Sequence, residues 1–124
     1  MICFDTNIII YIGNGTLSES IVTDEPICFS SITLIESLGY TEILSSEEQR
    51  IKELLSTMTE IPLSETVIQS AIQLRQLKKM SLGDSIIAAT ALENGNVLWT
   101  VNTADFSHIE DLILVNPLKN NSLN

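Results

Sequence analysis

Short apolar runs of the kind that form buried strands recur along the chain. Five are predicted as strands: "MICF" at 1–4, "PICFS" at 26–30, "TEIPL" at 59–63, "NVLWTV" at 96–101 and "DLILVN" at 111–116. Each is too short for a typical helix, and most are rich in the β-branched and aromatic residues that favour strands. The pattern therefore predicts a sheet built from separated segments.

The segments between these runs carry helical spacing. Helices are predicted over 7–13, 31–40, 46–58, 64–79 and 80–95. The third has Ile51, Leu54, Leu55 and Met58 at i, i+3, i+4 and i+7, and Ser46 with Gln49 matches a capping box at its start. Strands that alternate with helices indicate an α/β protein with a five-stranded, mostly parallel sheet covered on both faces.

The length of 124 residues fits one domain. We expect that domain to span 1–117 and residues 118–124 to form a flexible C-terminal tail. No stretch approaches the 18 or so apolar residues of a membrane span, and the apolar start is broken by Asp5 without a basic segment before it. A cytoplasmic protein is expected, with Cys3 and Cys28 as buried free thiols.

The charge of the chain is strongly negative and unevenly distributed. The formal net charge is -10, which argues against general electrostatic adhesion to nucleic acid. Residues 1–49 contain eight acidic residues and residues 80–118 contain five, and neither segment contains Lys or Arg. If acids from these two segments meet in space, no neighbour in sequence neutralises them.

Four acidic residues are predicted near the carboxyl edge of the sheet, where ligands bind in folds of this kind. They are Asp5, Glu36, Asp84 and Asp105. Each also has an ordinary structural interpretation: Asp84 follows Ser81, and Glu36 follows Thr33, at the spacing of a capping box, whereas Asp5 or Asp105 can cap a helix or turn a loop. Taken singly, each of these alternatives stays open.

Convergence of the four carboxylates would require compensation. Two carboxylates about 4 Å apart repel by roughly 4 kcal/mol at an effective dielectric of 20, whereas a domain is stable by only about 5–15 kcal/mol. The acids would have to share protons or hold a cation. Oxygen ligands suit hard ions, and Mg²⁺ typically takes one or two carboxylates, several waters and substrate phosphates. The pattern is therefore typical of a phosphodiester-cleaving site.

The segments around the four acids resemble, in order and spacing, the motifs of PIN-domain ribonucleases, and most closely VapC-type toxins of prokaryotic toxin-antitoxin pairs. The matching segments are "FDTNIIIYI", "SSITLIESLGY", "LGDSIIAATAL" and "TVNTADF". The resemblance implies a three-layer α/β/α fold, Mg²⁺- or Mn²⁺-dependent cleavage of RNA, homodimerisation and inhibition by a small cognate antitoxin. Each motif alone is weak, and the four together are specific.

The resemblance also assigns roles to residues. It implies Asp5, Glu36, Asp84 and Asp105 as the catalytic and metal-binding acids, and Thr6, Asn7, Thr100 and Asn102 as polar support. The chain departs from the family where many relatives have Asp in place of Asn102, which leaves Asp105 as the fourth acid. Gly83 and Ser85 replace the common Pro and Ala beside the third acid, and we expect them to loosen the start of that helix.

The alternative interpretation is a catalytically silent PIN-fold module that binds RNA or protein. Other α/β classes lack their signatures: the chain has no G-x-G-x-x-G, no D-x-D after the first strand and no Lys in residues 80–118 for a phospho-receiver. The single histidine, His108, is expected at a solvated loop position, and Trp99 in the core or at a dimer contact.

Overall fold

A computed structural model describes residues 1–118, so the predicted tail lies, apart from Leu118, outside the described residues. The strands are β1 (Ile2–Phe4), β2 (Ile27–Ser30), β3 (Thr59–Ile61), β4 (Val97–Trp99) and β5 (Ile113–Val115). The helices are α1 (Thr6–Gly13), α2 (Ser31–Leu38), α3 (Ser45–Leu55), α4 (Glu65–Leu77) and α5 (Leu82–Leu92). Two short 3₁₀ helices lie at Glu19–Ile21 and Thr103–Asp105.

The five strands form one parallel sheet in the order β3-β2-β1-β4-β5. The chain builds outward from β1 to β3 and then crosses to the other side of β1 for β4 and β5. The direction of strand order therefore reverses between β1 and β4, and the carboxyl ends of these two strands flank the crevice where such folds place their ligands. The predicted α/β fold with a parallel sheet is confirmed.

Alternation along the strands separates two apolar layers. Ile2 and Phe4 on β1 pack in a core with α1 and α3, whereas Cys3 between them packs in a second core with α4 and α5. Cys3 pairs in register with Cys28 on β2, and both are fully buried free thiols, as predicted. With both faces of the sheet covered, the central strands β1 and β2 are buried at every residue, whereas the edge strand β3 exposes Thr59 and Glu60.

Several helix boundaries differ from the predicted ones. Leu44, not Ser46, stands at the N-cap of α3 and makes no side-chain cap bond, so the predicted capping box is wrong; α3 begins one residue earlier and Ser46 lies inside it. The helix predicted over 80–95 begins at Leu82, after the N-cap Ser81, and ends at Leu92; Gly95 adopts φ +115° in the turn that leads to β4.

No helix in residues 1–118 is long and apolar enough to cross a membrane. The division into a domain at 1–117 and a flexible tail stays a prediction, as does the cytoplasmic location.

Candidate active site at the carboxyl edge of the sheet

Asp5 lies directly after β1, buried at the centre of this edge, with 5% of its surface exposed. Its backbone N–H donates to the Trp99 carbonyl on β4 at 2.9 Å. Its two carboxylate oxygens each accept a hydrogen bond, Oδ1 from the Thr6 N–H and Oδ2 from the Thr100 hydroxyl, both at 2.7 Å. Asp5 is therefore held in one orientation, and it also serves as the N-cap of α1.

Burial raises the pKa of Asp5 from 3.8 to about 6. Desolvation is the largest cause, the hydrogen bonds from Thr100 and Thr6 oppose it, and the nearby charges of Asp84 and Glu36 raise the pKa further. Perturbed carboxylates in a crevice are typical of functional sites. Asp5 therefore does cap α1, but capping does not account for its raised pKa.

Glu36 lies on α2 and reaches back to the corner between β1 and α1. Its Oε1 accepts a hydrogen bond from the Thr6 hydroxyl at 2.7 Å, and that hydroxyl lies 3.0 Å from the hydroxyl of Thr33. The capping-box interpretation of Thr33 and Glu36 is wrong, because Ser30 is the N-cap of α2 and Thr33 lies inside the helix. Glu36 is itself exposed.

Asp84 lies in the first turn of α5, and the Ser81 hydroxyl caps that helix by accepting from the Asp84 N–H at 3.1 Å. Burial raises the pKa of Asp84, the charges of Asp105 and Glu36 raise it further, and a hydrogen bond with Ser81 opposes them. Capping therefore fixes the Asp84 backbone, while its carboxylate is repelled by the charges of two other acids.

Gly83 and Ser85 flank Asp84 in the first turn of α5. A Cβ added to Gly83 would lie 2.9 Å from Glu36 Oε2, so the absent side chain leaves room for that carboxylate. The buried Ser85 hydroxyl donates to the Leu82 carbonyl at 2.7 Å and is satisfied within α5. α5 begins at Leu82 with the side-chain N-cap Ser81, and the expected loosening stays a prediction.

Asp105 ends the 3₁₀ helix after β4 and is exposed, as is Asn102 at the start of that helix. Asn102 contributes through its backbone: its N–H donates to the Thr100 hydroxyl at 3.0 Å, and its side chain makes no cap bond. A backbone donor is independent of the side chain, so the Asn102 departure from the family pattern leaves this contact intact.

The structure thus brings the four acids into one electrostatic cluster. The charges of Asp84 and Glu36 raise the pKa of Asp5, and the charges of Asp105 and Glu36 raise the pKa of Asp84. Within residues 1–118 none of the four forms an ion pair; the one ion pair there joins Lys52 to Glu48 on the surface of α3. The cluster therefore carries negative charge without a protein counter-ion in the described part of the chain.

A family model of the PIN domain matches residues 2–112. This chain belongs to the PIN-domain family. Among solved structures, a toxin-antitoxin complex from Klebsiella pneumoniae contains a chain 32% identical to this PIN domain, with a TM-score of 0.74 over 94% of this chain and 98% of that one. No curated protein sequence gives a significant match.

A second structure agrees with the VapC-type resemblance, and a third shares the fold. VapBC2 from Rickettsia felis, bound to a promoter DNA fragment, is 25% identical, with a TM-score of 0.78 over 94% of this chain and 98% of that chain. VapBC-1 from nontypeable Haemophilus influenzae is 24% identical with a TM-score of 0.72 over the same shares, and it supports the fold alone. The predicted resemblance to VapC-type PIN toxins is confirmed.

The donors of this PIN domain fit a hard, hydrated cation. Within residues 1–118 no group of three or more His, Cys, Asp or Glu side chains is arranged so that it could hold a metal ion. Mg²⁺ commonly binds through one or two carboxylates and retains several waters, which the oxygens of Asp5 and Asp84 can supply. Asn7 Oδ1, two residues after Asp5, is buried and accepts no hydrogen bond within these residues.

Sequence reasoning missed Thr33 and misjudged His108. The T-x-x-E spacing singled out Thr33 only as a cap, although this spacing also places its hydroxyl one turn from Glu36 on α2. His108 does lie in a loop, but both of its ring nitrogens are buried without a hydrogen-bond partner in residues 1–118, so the solvated position is wrong. Trp99 stacks on Phe4 with ring centroids 5.5 Å apart, which confirms a core contact.

Proposed function

We propose that this PIN domain is a Mg²⁺- or Mn²⁺-dependent endoribonuclease and the toxin of a toxin-antitoxin pair. The observation that carries the proposal is the convergence of Asp5, Glu36, Asp84 and Asp105 at one sheet edge with no ion-pair partner in residues 1–118. A cluster of this kind is compensated by a divalent cation, and a divalent cation in turn binds phosphate.

Each acid has a different environment and hence a different task. Asp5 is oriented by two hydrogen bonds and, with Asp84, would hold the ion; when bound, the ion supplies stabilisation of the charge that develops on the phosphate oxygens. Glu36 is exposed and tethered through one oxygen, so it can orient an attacking water or accept its proton. Asp105 is exposed at the rim and adds negative charge beside Asp84.

The decisive experiment is cleavage of an unstructured RNA by the wild-type chain with Mn²⁺ or Mg²⁺ and with chelator. We expect cleavage only with metal, and none in Asp84→Asn. Asp111→Asn is the matched control, because Asp111 is an exposed acid just before β5, at the opposite edge of the sheet. It should cleave as the wild type does.

Three outcomes separate the proposal from its alternatives. Cleavage that persists in chelator and in Asp84→Asn would contradict the metal-dependent mechanism. RNA binding without cleavage under all conditions would identify the silent binding module instead. Loss of activity that follows loss of folding in Asp84→Asn would indicate a structural cap, so thermal unfolding of every variant is measured in parallel.

Metal binding should also stabilise the fold. An ion that binds only the native state adds RT ln(1 + [L]/Kd), about 2.7 kcal/mol at a hundredfold excess over Kd. We expect the melting temperature to rise with Mn²⁺ and to fall back with chelator. An unchanged melting temperature at millimolar metal would count against a carboxylate site in the free protein.

An antitoxin partner is the second part of the proposal. The similar Klebsiella chain occurs in a toxin-antitoxin complex, and the Rickettsia structure contains VapBC2. We infer a small cognate antitoxin with a basic segment, since Arg binds carboxylates bidentately and stays charged at working pH. Apolar burial should supply much of the affinity, and the charged contacts should set register and association rate.

The product of the neighbouring gene provides the test. It should bind tightly and block metal-dependent cleavage, and changing its basic residues to Ala should weaken the block. If the neighbour neither binds nor inhibits, the toxin assignment is wrong even where the nuclease assignment holds.

A homodimer is the third part. Apolar side chains are exposed on α2, on α4 with the loop before it, and at the start of α5: Ile35, Leu63, Ile68, Ile72 and Leu82. The last four line a groove of about 210 Å³. Contiguous exposed apolar surface marks interaction sites, and this one adjoins the α5 turn that carries Asp84.

Light scattering after gel filtration tests the dimer. Ile72→Glu should shift the mass from dimer to monomer, because it places a charge in the apolar face. Leu77→Glu is the control on the same helix, since Leu77 is exposed but lies outside this groove. A monomeric wild type, or equal effects of both changes, would contradict a dimer through this face.

A further inference from the structure

A chain of two buried hydroxyls leads to the Glu36 carboxylate. The Thr33 and Thr6 hydroxyl oxygens are 3.0 Å apart, and the Thr6 hydroxyl lies 2.7 Å from Glu36 Oε1. Thr33 is fully buried and Thr6 is 7% exposed. Because bulk water hardly reaches these groups, the two protein hydroxyls depend on each other for their hydrogen bonds.

Proton counting fixes the direction of this chain. A threonine hydroxyl carries one proton, and an ionised carboxylate only accepts. The Thr6 proton is therefore committed to Glu36, so between the two hydroxyls Thr33 must be the donor and Thr6 the acceptor. A hydroxyl that accepts one hydrogen bond becomes a better donor in the next, because the two bonds polarise each other.

Thr6 also links the two best-defined acids of the site. Its backbone N–H donates to Asp5 Oδ1 at 2.7 Å, and its hydroxyl donates to Glu36 Oε1. The orientation of the Thr6 hydroxyl thus sets where the Glu36 carboxylate lies relative to Asp5. That orientation is under the control of Thr33, which projects from α2 one turn before Glu36.

We propose that Thr33 is a positioning residue of this site, which directs the Thr6 hydroxyl to Glu36 and thereby holds Glu36 beside Asp5. The inference rests on the proposed metal-dependent cleavage of RNA and adds to it a residue that touches neither metal nor RNA. Its role is to orient a carboxylate from the second layer of the site.

The Asp5 side of the site has the same arrangement with a different donor. The Thr100 hydroxyl accepts from the Asn102 backbone N–H at 3.0 Å and donates to Asp5 Oδ2 at 2.7 Å. Thr100 corresponds to Thr6, and the Asn102 backbone N–H corresponds to the Thr33 hydroxyl. This N–H is retained when the Asn102 side chain is changed to any residue other than proline. Of the residues in these two hydrogen-bond networks, Thr33 is therefore the one that mutation can test most directly.

The test compares four variants with the wild type. Thr33→Val removes the hydroxyl and keeps the shape, Thr33→Ser restores the hydroxyl, and Thr6→Val removes the link. Thr90→Val is the matched control, because Thr90 is also a fully buried helical threonine, but its hydroxyl donates to the Ile86 carbonyl within α5. Should Thr33→Val fail to fold, Thr33→Ala removes the same hydroxyl.

Three readouts are measured on each variant: Mn²⁺ affinity by calorimetry, kcat and KM for RNA cleavage, and the ¹³C shift of the Glu36 carboxyl carbon by NMR. We expect Thr33→Val to raise the Kd for Mn²⁺ and to lower kcat by roughly tenfold, the low end of effects for outer-shell residues. KM should be unchanged. Thr33→Ser should return both values toward wild type, and Thr90→Val should leave both unchanged.

The double variant tests whether Thr33 acts through Thr6. Adding Thr33→Val to Thr6→Val should cause no further loss, since the link is already absent. Additive effects would overturn the inference, as would a Thr33→Val variant that matches Thr90→Val, or a loss that Thr33→Ser does not restore.

The NMR readout keeps this inference separate from the proposed function. If the wild type neither binds metal nor cleaves RNA, the proposed function fails, but the Glu36 carboxyl shift still reports the hydroxyl chain. It should move in Thr33→Val, return in Thr33→Ser and stay fixed in Thr90→Val. A Glu36 shift that is insensitive to Thr33→Val would overturn the inference whatever the activity.

Discussion

The carboxyl edge of the sheet has an inner and an outer half that hold their carboxylates differently. In the inner half, Asp5 and Glu36 accept hydrogen bonds from Thr100 and Thr6. In the outer half, Asp105 ends an exposed 3₁₀ helix. The inner acids are therefore oriented before any ligand arrives, whereas the position of Asp105 is set mainly by its backbone.

The difference follows from where each acid enters the fold. Asp5 emerges from the central strand, and its backbone N–H is bonded to the adjacent strand β4, so its position is fixed by the sheet itself. Asp105 comes five residues after Thr100, beyond the region where strand pairing constrains the chain. Preorganised groups contribute most to catalysis, because they need no rearrangement as charge develops. The inner half should therefore dominate the chemistry.

The largest expected effect contrasts Asp5 with Asp105. Asp5→Asn should reduce metal-dependent RNA cleavage by roughly 10²- to 10³-fold, the scale for loss of one preorganised electrostatic contact. Asp105→Asn should reduce it by about tenfold, as an outer-shell group does. Single-turnover rates with saturating Mn²⁺ measure both. Equal losses in the two variants would show that the hydrogen-bonded and the exposed acid contribute alike.

Local patterns were sufficient to predict the elements of the fold. The central strands β1 and β2 are short, almost wholly apolar runs because both faces of the sheet are covered there, and α3 shows a clear helical periodicity. Boundaries were less predictable, since they depend on contacts outside the segment. Ser46 has the spacing of an N-cap, yet α3 begins before it, at Ser45, and its N-cap Leu44 makes no side-chain cap bond.

The site was predictable as a set of acids but not as a network. The predicted topology alone indicates that the four acids lie near the carboxyl edge of the sheet. The partner of each carboxylate depends on side-chain geometry between distant segments: Thr6 and Glu36 are 30 positions apart, and Asp5 and Thr100 are 95 apart. No periodicity encodes such pairs, so Thr33 was interpreted as a cap. Whether the four acids hold metal stays a prediction.

The second expected effect concerns the pH dependence of stability in the metal-free protein. The pKa of Asp5 is raised from 3.8 to about 6 in the fold, so the charged form is disfavoured there. Below pH 3.8, Asp5 is neutral in both the folded and the unfolded protein, and the fold does not have to bury its charge. As the pH rises through about 6, Asp5 becomes charged in the fold as well, and the free energy of unfolding falls. A difference of about two pKa units corresponds to about 3 kcal/mol.

Asp5→Asn provides the measurement, because the amide stays neutral at every pH. The free energy of unfolding of both proteins is measured in urea after removal of metal. The value for Asp5→Asn relative to the wild type should increase by about 3 kcal/mol between pH 4 and pH 7. Added Mn²⁺ should reduce this gain, since a cation favours the charged carboxylate. A stability difference that is independent of pH would contradict the raised pKa of Asp5.

The smallest expected effect probes the one inner acid that is held through a single oxygen. Oε1 of Glu36 is held by Thr6, whereas its Oε2 lies where a Cβ on Gly83 would approach to 2.9 Å. Gly83→Ala should displace only the far end of an exposed side chain, so the fold should not be destabilised. Ala in a helix is favoured over Gly by roughly 0.5–1 kcal/mol, and the melting temperature should therefore rise slightly.

Cleavage by Gly83→Ala should nevertheless fall by about threefold, because a displaced general acid-base group loses part of its contribution of roughly 10²- to 10⁴-fold. Paired measurements of melting temperature and kcat test this opposition, and a variant that gains stability with full activity would show that the placement of Glu36 Oε2 does not limit the reaction.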